Sequence, residues 1–159
     1  MQPGSWSEPL FDATGMGGID RWAIEERGVP SLELMEAAGD ALAREAELIA
    51  RPGPIRIVCG KGNNGGDGLV AARLLRERGH EADALLLWPA DELSPDAAAN
   101  LERLGGDFRE LGEGDVPAAL IGSGAVVDAI FGTGFDGEPR EPAAAAIEAI
   151  NSAEAPVVA

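Results

Sequence analysis

Ile55-Arg56-Ile57-Val58-Cys59-Gly60-Lys61-Gly62-Asn63-Asn64-Gly65-Gly66-Asp67-Gly68-Leu69-Val70-Ala71-Ala72 carries three signals in succession. The first five residues are an apolar, β-branched run that reads as a buried strand. Five glycines follow between residues 60 and 68. A helical pattern then runs over 67–78 and is closed by Gly79. A strand that turns into a helix through so many glycines lets bare backbone approach a ligand. The new helix also aims unpaired N–H groups and a partial positive charge at whatever sits there, which suits an anion such as a phosphate. The adjacent Asn63 and Asn64 add amide donors and acceptors that a plain turn does not need, although Asp67 alone could serve as a helix cap.

Moving away from this turn, strands and helices alternate. Toward the N-terminus, residues 8–27 read as a helix with a weak middle at Gly15, Gly17 and Gly18, broken by Pro30. Ser31 is placed to cap a second helix that runs to about Ala50. Toward the C-terminus come a strand over Ala82–Leu87, a helix started by Ser94-Pro95 and stopped by Gly105-Gly106, and a weak strand over Phe108–Leu111. A short helix from Asp115 to Gly122, a buried strand over Ala125–Phe131, a helix over Arg140–Asn151 and a last strand from Pro156 complete the chain. This alternation predicts an α/β fold: a Rossmann-like, doubly wound, mostly parallel sheet with helices on both faces in three αβα layers. Ligands of such sheets bind at the carboxyl ends of the strands.

At 159 residues the chain reads as one domain, with residues 1–7 expected to be flexible. It stops at Ala159 inside an apolar run, an awkward place for a sheet edge, so the domain is expected to be incomplete at its C-terminus. The formal charge of −16 speaks against nucleic-acid and anionic-membrane partners. No basic segment followed by an apolar stretch marks a signal peptide, and no run approaches membrane-spanning length. Cys59 is the single cysteine, which fits a reducing, cytoplasmic setting, and its place at a strand end favours a buried thiol over a nucleophile.

Three features bear on chemistry. Gly60, Gly62 and Gly65 fit G-x-G-x-x-G, a weak signal alone, and the acid that should hold a ribose is misplaced, since Asp83 lies at the start of its strand. Asp128 stands in an otherwise apolar strand, where a carboxylate must be paired, capped by a helix terminus, protonated or bound to a cation; Asn64 could add a neutral oxygen to a hard cation. Gly132-Thr133-Gly134-Phe135-Asp136-Gly137-Glu138 is a second glycine-rich turn, with Arg140 beyond it as a nearby cation or a solvated side chain. His80 reads as a surface turn residue, Trp22 as core or interface, Trp6 as a partner contact, and Glu25-Glu26-Arg27 as a solvated face.

Leu34-Met35-Glu36-Ala37-Ala38-Gly39, the run from Cys59 to Arg73, and Val127-Asp128-Ala129-Ile130-Phe131-Gly132-Thr133-Gly134 together resemble the NAD(P)H-hydrate epimerase family, the YjeF N-terminal-type domain. Ile19-Asp20 and Ala23-Ile24 fit its leading helix, and the likeness runs from about Leu10 to the end. The resemblance implies an isomerase of metabolite repair that interconverts the R and S forms of hydrated NADH and NADPH, so that an NAD(P)H-hydrate dehydratase, fused in some relatives, can restore the cofactor. It implies that Asn63, Asn64, Gly65, Gly66 and Asp67, with Gly132, Thr133, Gly134, Phe135, Asp136, Gly137 and Glu138, contact the hydrated dinucleotide. It further implies one K+ per subunit held by Asn64 and Asp128, and a homodimer. The family pattern continues past Pro156-Val157-Val158-Ala159 with an Asp that is the expected acid–base group and a Ser that completes the ion site, so the catalytic residue stays unknown. Beside this reading stand a non-catalytic dinucleotide- or protein-binding module of the same fold, and an ordinary dinucleotide dehydrogenase, against which the Asn pair and the position of Asp83 speak.

Overall fold

The computed structural model describes residues 13–112 and 114–159. The expectations for residues 1–7, for Trp6 and for the start of the first helix lie outside the described residues. Among those described, five strands make one parallel sheet: β1 (Ile55–Cys59), β2 (Ala82–Leu86), β3 (Phe108–Glu110), β4 (Ala125–Ala129) and β5 (Val157–Val158), in the order β3-β2-β1-β4-β5. The helices are α1 (Ala13–Glu25), α2 (Ser31–Ile49), α3 (Asn63–Glu77), α4 (Pro95–Leu104), α5 (Val116–Ala119) and α6 (Ala143–Asn151). The strand order reverses direction at β1. The chain winds outward through β2 and β3, then returns to place β4 on the other side of β1, so the topological switch point lies between β1 and β4.

Two apolar layers sandwich the sheet. On one face α2, α3 and α4 pack over Ile55, Ile57, Ala84, Leu86 and Val127; on the other α5 and α6 pack over Val58, Leu85 and Val126. With aromatics at 4% of the sequence, the first layer is built largely from small residues, among them Ala43, Ala46, Ala71, Ala72 and Ala97. Small side chains let helix backbones come close. Gly39 of α2 abuts Val70 and the Asp67 carbonyl of α3, and a Cβ at Gly39 would stand 2.8 Å from that oxygen. Glu36 and Arg73 tie the same two helices, with one guanidinium N–H to the carboxylate at 2.7 Å.

The expected elements are present, with boundaries corrected by local physics. α3 begins at Asn63, four residues before its expected start, because the glycines of its first turn are held in place by close packing rather than left as a loop. Asp67 therefore sits inside the helix and does not cap it. Ser31 is the first helical residue of α2, preceded by an extended Pro30 that makes no side-chain cap bond. Ser94 does cap α4, its Oγ accepting from the Ala97 N–H at 3.4 Å, and Gly105 stops that helix at φ 81°. The strand expected over Ala125–Phe131 ends at Ala129, and α6 starts at Ala143. Trp22 is not core among the described residues: it is 53% exposed, with the Arg27 guanidinium 5.3 Å from its ring centre.

Asp83 pairs with Arg56, its register neighbour on β1. It lies at the opposite end of the sheet from the glycine turn and is occupied structurally. No described helix is long and apolar enough to cross a membrane.

Candidate active site

Strands β1, β2 and β4 end level with one another, because Cys59 is in register with Leu86 on one side and Ala129 on the other. The three loops that follow therefore emerge side by side at the carboxyl edge of the sheet. This brings the two glycine-rich turns together across the switch point.

The first turn is fixed by contacts that only glycine permits. A Cβ on Gly60 would overlap the Ile130 carbonyl, and one on Gly65 would overlap the Gly60 carbonyl. Gly60 donates its N–H to the Ala129 oxygen at 2.9 Å, and the Gly66 N–H reaches the Gly62 oxygen at 3.2 Å. The Asn63 side-chain oxygen accepts from Ser94 Oγ at 2.9 Å, so its amide is oriented by the loop after β2. Asn64 is half-buried and stands beside Gly132 of the second turn: a Cβ there would lie 3.7 Å from Asn64 Oδ1. Asp67 is half-buried, and that burial, with the Asp20 carboxylate of α1 adding repulsion, pushes its carboxyl up from 3.8 to about 7.

The second turn is more open. Asp128 shares the β4 face of Val126 and Ile130 and is half-buried. Its Oδ1 accepts from the Ile130 N–H at 3.0 Å, a backbone partner that meets part of its need and leaves the other carboxylate oxygen available. No hydrogen bond joins Asp128 to Asn64 among the described residues. Gly132 accepts from the Phe135 N–H at 3.0 Å, which closes a tight turn and stacks Phe135 on Phe131 with ring centres 3.9 Å apart. Thr133, Gly134, Asp136, Gly137, Glu138 and Arg140 are all exposed along this rim.

A third wall was not singled out by the sequence. Trp88, just past β2, lies 6.4 Å from Phe131, and Lys61 sits 5.7 Å from the Trp88 ring centre while pairing with Glu92 at 2.9 Å. The Ser94 N–H donates to the Lys61 oxygen at 2.8 Å, which docks this loop onto the glycine turn. The signal available beforehand was positional: Trp88 and Glu92 follow the second strand at the edge where ligands bind.

For a hard cation, the Asn64 amide oxygen and the free oxygen of Asp128 are donors of the right chemistry, flanking the same switch point. No group of three or more His, Cys, Asp or Glu gathers among the described residues. Cys59 is buried, and burial pushes its thiol up to about 12, so it stays protonated and is no nucleophile. His80 pairs with Glu47 at 3.0 Å on the surface. A depression of about 860 Å³, lined by Arg51, Leu120, Ile121 and Ala149 among others, lies at the amino ends of β1, β4 and β5, away from the glycine turns.

Against known proteins, residues 31–159 match the family described as YjeF-related protein N-terminus. The chain is 42% identical over 161 residues to the NAD(P)H-hydrate epimerase of Rhodobacter capsulatus, spanning 94% of this chain and 74% of that one. It is 43% identical over 161 residues to the bifunctional NAD(P)H-hydrate repair enzyme Nnr of Moorella thermoacetica, and there it spans 30% of the relative's length. The crystal structure of yeast ynu0, YNL200c, superposes with a TM-score of 0.76 at 25% identity, over 94% of this chain and 68% of that one.

Proposed function

This chain belongs to the YjeF-related protein N-terminus family, and on that premise we propose that it acts as an NAD(P)H-hydrate epimerase, an isomerase that interconverts the R and S forms of hydrated NADH or NADPH. The observation that carries the reading is its likeness to proteins named NAD(P)H-hydrate epimerase, of which it spans about three quarters: 42% identity to that of Rhodobacter capsulatus and 36% to that of Limosilactobacillus fermentum. The convergence of two glycine turns at the switch point supports it physically, because a phosphate-bearing ligand needs bare backbone donors there.

In this reading the hydrated dinucleotide lies between residues 63–67 and residues 132–138. The backbone N–H groups at the start of α3 face its phosphates. Asn63, oriented by Ser94, and Asn64, wedged against Gly132, position its polar groups. Epimerisation requires one bond at the hydrated ring carbon to break and re-form on the opposite face: the carbon–nitrogen bond, if the ring opens to an aldehyde and recloses, or the carbon–oxygen bond, if water leaves and returns. In either route protons move on and off oxygen or nitrogen, and a carboxylate is the natural carrier. Asn64 and Asp128 would hold a potassium ion, which supplies positive charge beside an anionic ligand in a chain of formal charge −16. An NAD(P)H-hydrate dehydratase is the functional partner, a pairing supported by the relatives named as bifunctional repair enzymes. The single buried cysteine accords with a cytoplasmic setting.

The test is chiral chromatography. One pure epimer of hydrated NADH is incubated with the protein, and the approach to the R/S mixture is timed. Equilibration faster than in buffer is expected; a rate equal to buffer overturns the assignment.

A further inference from the structure

Lys61 is the sole lysine of the sequence, yet it stands in the glycine turn with its charge already engaged on both sides. Glu92 takes it at 2.9 Å and the Trp88 ring holds it at 5.7 Å. Both members of the ion pair are about half exposed, 50% for Lys61 and 48% for Glu92, so a ligand can reach them. The pair lies past the carboxyl end of β2, next to the β1–α3 turn. In doubly wound sheets of this strand order, an acid at the end of β2 accepts the 2′-hydroxyl of an adenosine ribose. Asp83, the acid that sequence spacing offers for this role, is at the far end of β2 and pairs with Arg56. Glu92 is an acid at the right end.

We propose that Glu92, held by Lys61, contacts the adenosine ribose of the bound dinucleotide and selects hydrated NADH over hydrated NADPH. The proposal rests on the epimerase reading above and names its preferred substrate. The charge inventory of this corner decides the direction. Glu92 has Asp91 beside it in the chain, and Glu110 accepts from the Ala90 N–H at 2.9 Å. Two further carboxylates thus lie on or against the loop that carries Glu92, while Lys61 is the one cation paired with it among the described residues. A 2′-hydroxyl can donate to Glu92 without disturbing Lys61. A 2′-phosphate carries close to two negative charges; it would have to pull Lys61 away from Glu92 and leave that carboxylate facing like charge. Lys61 alone cannot balance both, and the surrounding field is already acidic.

Calorimetry with ADP-ribose and 2′-phospho-ADP-ribose, on the protein and on Glu92→Gln, reads this directly. The protein should bind ADP-ribose at least about tenfold more tightly, the effect of one charge-assisted hydrogen bond. In Glu92→Gln that preference should shrink by about the same factor, since the amide accepts more weakly and frees Lys61 for the phosphate. Lys61→Met should shift it the other way, widening the preference. An unchanged ratio in Glu92→Gln, or binding of neither probe, overturns the proposal. The two hydrates are then compared as substrates: discrimination between the probes without any epimerisation supports the subsite and overturns the epimerase reading. Epimerisation of both hydrates at a ratio that Glu92→Gln leaves untouched does the reverse.

Discussion

Asp67 is the carboxylate of the glycine turn whose acidity departs from its ordinary range. Its carboxyl is pushed up to about 7 by burial, with Asp20 adding repulsion. The folded state thus holds the neutral acid more readily than the unfolded chain does. The stability this gives is complete below about pH 3.8, the ordinary value, and is lost as the pH rises through about 7. Asp67→Asn, which cannot ionise, should therefore melt higher relative to the unaltered protein at about pH 8 than at about pH 5. Thermal unfolding at the two pH values checks this, and an equal difference at both would show that Asp67 is solvated. The sequence could not reveal this residue's state, because it depends on burial by the folded chain and, secondarily, on Asp20 of α1 approaching from another part of it. Asp128 was legible, since a carboxylate inside an apolar strand is conspicuous without coordinates. What the sequence left open was its local partner, the Ile130 N–H, supplied by a turn of backbone just past the strand.

Among elements, α3 and the turn before it show what pattern reading reaches and where it stops. The strand, the turn and the helix were all expected, but the helix start was misplaced, because consecutive glycines carry no helical signal of their own. Their helical state comes from tertiary contact. Gly65 lies against the Gly60 carbonyl and Gly66 against Met35 and Ala97, whereas Gly62 has open space around it at an unstrained φ of −88°. Alanine should separate the two cases. Gly65→Ala forces backbone apart and should cost about 1–3 kcal/mol, while Gly62→Ala should stay within about 0.5 kcal/mol. Urea unfolding of both variants tests it, and equal costs would contradict the packing account. α1 illustrates the other failure. Trp22 reads as core or interface, and the core alternative does not hold, since Ile19 and Trp22 are exposed among the described residues: amphipathicity marks a face that could be covered without saying by what.

For the molecule as a whole, alternation of apolar runs with helical stretches was enough to anticipate a parallel sheet covered on both faces. The strand order β3-β2-β1-β4-β5 needed coordinates, and that order is what sets the two glycine turns across one switch point. It also brings Trp88 and Lys61 to the same edge, residues far apart in sequence with no motif to announce them. The function proposed above belongs to that edge: its backbone and amide donors, with the Asp128 carboxylate of β4, are proposed to turn over a hydrated nicotinamide nucleotide. The decisive measurement is the rate at which a single epimer of hydrated NADH equilibrates in potassium-containing buffer, for the unaltered protein, Asn64→Ala and Asp128→Asn. The account predicts rapid equilibration by the unaltered protein and at least about a tenfold loss in each variant, from removing one ligand-facing or cation-facing polar group. Equal rates in all three, with folding intact, would contradict it.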